Sequence, residues 1–110
     1  MAATFYIKQN DTAPSIQVVL TDSNGRVKSL ANASSVRFNM STDAGVNVIA
    51  GEPGSIINPT KGIVSYEWQA GDTVNVGPHN AEFEIVYVNG QVETFPNSSY
   101  IKVIVKAELA

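Results

Sequence analysis

Asn89-Gly90 separates two runs of alternating side chains within "NAEFEIVYVNGQVETFP", residues 80–96. An Asn-Gly pair between alternating runs is the strongest short hairpin signal, because a two-residue type I′ turn needs positive φ at both central positions. A two-residue loop sets the register. It places Val88 opposite Gln91, Tyr87 opposite Val92, Val86 opposite Glu93 and Glu84 opposite Phe95. Side chains alternate between the faces of a strand. Ala81, Phe83, Ile85 and Tyr87 then share the core face with Val92 and Thr94. Glu82, Glu84, Val86 and Val88 share the outer face with Gln91, Glu93 and Phe95. On that expectation the three glutamates of the segment lie in water. A catalytic pair would need one carboxyl desolvated beside another that stays ionised, and an open sheet face supplies little desolvation.

The same period of two recurs along the chain. "TFYIK" (4–8) opens it. "SIQVVLT" (15–21) carries Ile16, Val18 and Leu20 on one side. "DSNG" (22–25) reads as a turn and "RVKSL" (26–30) as its return strand. "SVRFNMS" (35–41) points Val36, Phe38 and Met40 inward, and "VNVIA" (46–50) pairs with it across Asp43-Ala44-Gly45. "GEPGSIINPTKG" (51–62) has two prolines and three glycines and reads as a long loop. "IVSYEWQ" (63–69) puts Val64, Tyr66 and Trp68 on one face. A second loop covers 70–80, and "YIKVIVK" (100–106) ends the series. No segment keeps a 3.6-residue apolar period over three turns. The expectation is all-β: an antiparallel sandwich of seven or eight strands, formed by residues 1–110 as one domain.

Composition narrows the chemistry. The 110 residues are 44% apolar and 15% charged, with net charge −3 and no cysteine. Disulfides, thiolate metal sites and cysteine nucleophiles are excluded. The seven Lys and Arg residues are scattered, so no nucleic-acid footprint is visible. No apolar stretch approaches ~18 residues, so no transmembrane helix is expected. "MAATFYIKQND" lacks the regions of a signal peptide; the expectation is synthesis in a cytoplasm. Neither a metal nor a cofactor is called for by any motif. Asp22-Ser23-Asn24-Gly25 opens like a calcium loop but lacks the later ligands. His79, the only histidine, reads as a loop residue and makes no triad by itself. Gly71-Asp72-Thr73 opens no helix and has no lysine, so it is no phosphate loop; Asp72 reads as a cap on its own turn. Tyr66 and Trp68 could stack on a sugar, but on an alternating strand they read as core.

Several stretches resemble, in order and spacing, the N-terminal domain of phage baseplate upper proteins, the BppU-like family. They are "FYIKQNDTAPSIQVVLTDSNG", "ASSVRFNM", "GIVSYEWQAGDT", "NAEFEIVYVNG" and "VETFPN". The resemblance implies an immunoglobulin-like sandwich built into a virion, usually at the tail or baseplate. It implies no enzymatic activity and no cofactor. Members commonly continue into a linker and receptor-binding parts, whereas this sequence runs to "KAELA". A plug, an adaptor or a decoration subunit on the head is then the alternative expectation. Partners would be other virion proteins or further copies of the chain, with neither nucleic acid nor membrane.

An uncovered apolar residue on an acidic surface suits contact with another subunit. The expected contacts are residues 1–8, the 51–62 loop and the outer face of the hairpin. Phe5, Ile7, Ile56, Ile57, Val86, Val88 and Phe95 are the candidate interface residues. Two other classes stay open. A carbohydrate-binding module needs Trp68, Tyr66 or Tyr100 exposed as a platform, and a hydrolase needs an enclosed pair among Glu82, Glu84 and Glu93.

Overall fold

The computed structural model describes residues 4–109. Nine strands follow one another with no helix among the described residues: β1 (Thr4–Lys8), β2 (Ile16–Val19), β3 (Ala33–Thr42), β4 (Asn47–Pro53), β5 (Ser55–Asn58), β6 (Ile63–Tyr66), β7 (Gly77–Tyr87), β8 (Val92–Phe95) and β9 (Ile101–Lys106). The larger sheet runs β1-β9-β7-β3-β4, with β8 also on β7; the smaller runs β2-β6-β5. All pairs are antiparallel except β1 on β9, which is parallel.

Alternation explains the core. β3 buries Val36, Phe38 and Met40, β6 buries Val64 and Tyr66, and β7 buries Ala81, Phe83 and Ile85. Aromatic rings bridge the sheets. Phe38 stacks on Tyr66 with centroids 4.5 Å apart, and Trp68 stands edge-on to both at 5.7 and 5.6 Å. Such pairs add about 0.5–1.5 kcal/mol each beyond the area they bury.

Three of the sequence expectations change. The 51–62 segment is mostly strand: β4 runs to Pro53 and β5 follows at once. Ile56 draws β5 inward, pairing with Val64 and packing against the core. Gly54 permits the close passage, since a Cβ there would lie 2.8 Å from the Ser65 carbonyl oxygen. Residues 26–30 form no strand, only the single bridge Thr21–Val27. His79 lies in β7 rather than a loop and is buried, with Nδ1 2.9 Å from the Gly77 carbonyl. A carbonyl only accepts, so Nδ1 carries the proton.

The hairpin register differs too. Gly90 N–H donates to the Tyr87 carbonyl at 2.9 Å and Tyr87 N–H to that of Gln91 at 2.9 Å. Of the Asn-Gly pair only Gly90 has positive φ, at 87°. The loop therefore holds three residues, a type I turn closed by a left-handed glycine. The pairs become Phe83–Phe95, Glu84–Thr94, Ile85–Glu93 and Val86–Val92. A slip of one residue exchanges the faces of a whole strand. Phe95 moves into the core at 1% exposure, and Glu93 leaves the face of Glu82 and Glu84.

Candidate interaction surface

The outer side of β7 carries Glu82, Glu84 and Val86, and β3 lines up Asn39, Arg37 and Ser35 against them. Arg37 reaches Glu84 at 3.5 Å, and Asn39 Nδ2 reaches Glu82 Oε2 at 3.5 Å. Arg37 is half-exposed, so its ion pair contributes less than about 1 kcal/mol. Further along the face, Lys102 Nζ donates to Asp43 at 2.9 Å and to Asn80 at 2.7 Å. That bond and the lysine's charge hold the Asp43 carboxyl below the usual carboxylate range.

Glu93 belongs to a separate cluster. The Tyr87 hydroxyl donates to it at 2.7 Å, Lys28 Nζ lies 3.4 Å away, and Asn97 Nδ2 donates at 3.3 Å. Burial pushes the Glu93 carboxyl up, but the hydroxyl, the lysine and Asn97 outweigh it and hold the group low. Burial and the facing carboxylate push the Tyr87 hydroxyl up. Nothing in the residue pattern announces this cluster, because the three-residue loop creates it.

A second tyrosine–acid pair lies at the Gly71-Asp72-Thr73 turn. Asp72 Oδ2 accepts from the Tyr66 hydroxyl at 2.6 Å and from Gln69 N–H at 2.8 Å. Thr73 Oγ1 donates to the Asp11 carbonyl at 2.9 Å. Asp22 Oδ1 accepts from Asn24 N–H at 2.9 Å and Arg26 N–H at 3.0 Å, closing its own turn. These acids are engaged with the fold. The sheet itself separates Glu84 from Glu93, so those two form no acid–base pair.

The seven candidate contact residues divide. Ile7 and Phe95 are buried, while Phe5 and Ile56 pack against the core. An outer-surface place for Ile7 and Phe95 is corrected, Phe95 by the register and Ile7 because its side of β1 faces the core; Phe5 and Ile56 are half-buried and keep part of their surface. Ile57 at 52% and Val88 at 73% are exposed, and Val86 is half-buried beside exposed Val92. Residues 1–3 of the expected 1–8 contact lie outside the described residues. Strand β1 is one border of the larger sheet. Its outward Tyr6 is 62% exposed, a residue that the pattern did not single out. Trp68 and Tyr66 lie in the core, and Tyr100 is 53% exposed away from them in sequence. Among the described residues no group of three or more His, Asp or Glu side chains is placed to hold a metal ion.

No known family profile matches the sequence, and no curated protein matches it. A solved structure does match in shape. The crystal structure of CopC from Methylosinus trichosporium OB3b superposes with a TM-score of 0.58 at 8% identity, covering 99% of this chain and 89% of that one. The fold is an immunoglobulin-like β-sandwich. At that identity the likeness speaks for the sandwich alone. Within it, β1 and β4 border the larger sheet, and β2 and β5 border the smaller.

Proposed function

We propose that this chain is a non-catalytic structural subunit of a bacteriophage virion, an assembly or attachment module of the tail or baseplate. It acts by protein–protein contact and is present in several copies. The phage assignment rests on the resemblance of the quoted stretches to baseplate upper proteins. One observation supports the non-catalytic part: polar groups in those stretches are spent on the fold. Asp22 closes a turn, Asp72 anchors Tyr66, and Thr73 ties Asp11. Exposed apolar side chains open to a partner include Val88, Val92 and Ile57, with Tyr6 on the border strand β1. A border strand offers unpaired backbone groups to a neighbour.

Mass spectrometry of purified particles, followed by imaging with this sandwich traced in the density, tests the reading. A multi-copy component at the tail or baseplate is the expected outcome. Density on the head would move the assignment to a decoration subunit or a fibre base. Absence from the particle would end it.

A further inference from the structure

We infer that Asn24 is a site of spontaneous deamidation, and that Asn89, in the same dipeptide and the same kind of turn, is protected by its own hydrogen bonds. Both asparagines precede glycine, whose missing side chain leaves the next backbone nitrogen open to approach. Both occupy the third position of matching turns. Gly25 N–H donates to the Asp22 carbonyl at 3.0 Å, and Gly90 N–H donates to that of Tyr87 at 2.9 Å. Asp22 N–H reaches the Arg26 carbonyl at 2.8 Å just as Tyr87 N–H reaches that of Gln91. Backbone geometry therefore does not separate the two sites.

Their side chains and surroundings do. The Asn89 amide is held at both ends: Oδ1 accepts from Gln91 N–H at 3.0 Å and Nδ2 donates to Gln91 Oε1 at 3.2 Å. The Asn24 amide makes no hydrogen bond among the described residues; only its backbone N–H is engaged, by Asp22. The Asn89 turn joins β7 to β8, which pair over four residues. The Asn24 turn carries the Asp22 carboxylate's bonds to Asn24 N–H and Arg26 N–H, but beyond residues 22–26 only one isolated bridge, Thr21–Val27, continues its pairing. Segments with few anchoring bonds open locally at the lowest cost. Opening is required here, because the glycine nitrogen must leave its bond to the turn carbonyl before it can react.

The Gly25 nitrogen then gives its proton to water or hydroxide and attacks Asn24 Cγ. The new N–C bond forms as the amide C–N bond breaks and ammonia leaves, closing a succinimide. Water opens that ring at either carbonyl, producing aspartate or isoaspartate. Each event adds one carboxylate to a chain of net charge −3 and places it beside Asp22. Isoaspartate also adds a methylene to the backbone inside the turn that Asp22 holds shut.

The test is incubation of the native protein at mildly alkaline pH and physiological temperature, with peptide mass spectrometry at intervals. Conversion appears as a gain of about 1 Da, with isoaspartate resolved by its shifted elution. Asn24 is expected to convert at least about five-fold faster than Asn89, the factor that one net hydrogen bond supplies. In urea the two rates should converge. Gln91→Ala should speed Asn89 and leave Asn24 unchanged. Equal rates in the native protein, faster conversion at Asn89, or an intact Asn24 when the urea sample has converted would each overturn the assignment.

Discussion

Phe83 stands directly opposite Phe95, and both rings are buried between the two sheets. This pairing, one residue away from the one a two-residue turn would set, decides which side of the hairpin is core. Phe95→Ala should therefore cost about 3–5 kcal/mol in urea unfolding. Val88→Ala, at the exposed tip, should stay within about 0.5 kcal/mol. Comparable losses at the two positions would contradict the three-residue loop.

Gly62 opens the stretch that delivers Val64, Tyr66 and Trp68 to the core. Its φ is +66°, and a Cβ there would lie 2.5 Å from the Lys28 carbonyl oxygen and 3.1 Å from that of Leu20. Gly62→Ala meets both left-handed strain and backbone, and should cost about 2 kcal/mol or more. Gly90→Ala shares only the strain, since nothing lies within 4 Å of its Cβ, and should cost about 1–2 kcal/mol. Calorimetry on the two variants checks the order; a milder effect at Gly62 would refute the close approach.

The Tyr66 hydroxyl bond to Asp72 joins the core to the loop that leads into β7. Tyr66→Phe should destabilise the fold by about 1–3 kcal/mol, as expected for a hydrogen bond to a charged group. Asp72→Ala should cost more, because Gln69 N–H loses its acceptor as well. A double-mutant cycle should return a coupling of about 0.5–3 kcal/mol. Strict additivity would show that the bond is not made in solution.

The Tyr87–Glu93 bond shapes both limbs of the pH profile. Glu93 has its folded pKa held below its unfolded value. Its contribution is present above the ordinary glutamate pKa of about 4.3 and is lost as pH falls through the depressed folded value. Tyr87 has its folded pKa raised, so its contribution is complete below the ordinary tyrosine value of about 10 and is lost as pH climbs beyond it. Tyr87→Phe should remove part of the alkaline loss and weaken the acid dependence together. Tyr66 contributes to the alkaline limb as well, for burial and Asp72 raise it in the same direction. Urea midpoints across pH measure this; a wild-type profile in the variant would remove the bond from the account.

The division between sequence and tertiary structure follows from the range of the forces involved. Period-two alternation is local, so the all-β class and the buried faces of β3, β6 and β7 are legible residue by residue. Pattern alone likewise yields the turns at Asp22–Gly25 and Asp43–Gly45 and the burial of Trp68. Register is different. Two-residue and three-residue loops both suit Asn-Gly, and the choice depends on whether Phe95 or Glu93 sits better against the opposite sheet. Burying an aromatic ring outweighs keeping a carboxylate in open water, and Tyr87, Lys28 and Asn97 then satisfy the acid at the rim. Strand β5 arises for the same reason: the prolines and glycines that flank it read as loop until Ile56 finds Val64. Only the packed sandwich could assign those places, because apolar burial is settled between segments distant along the chain.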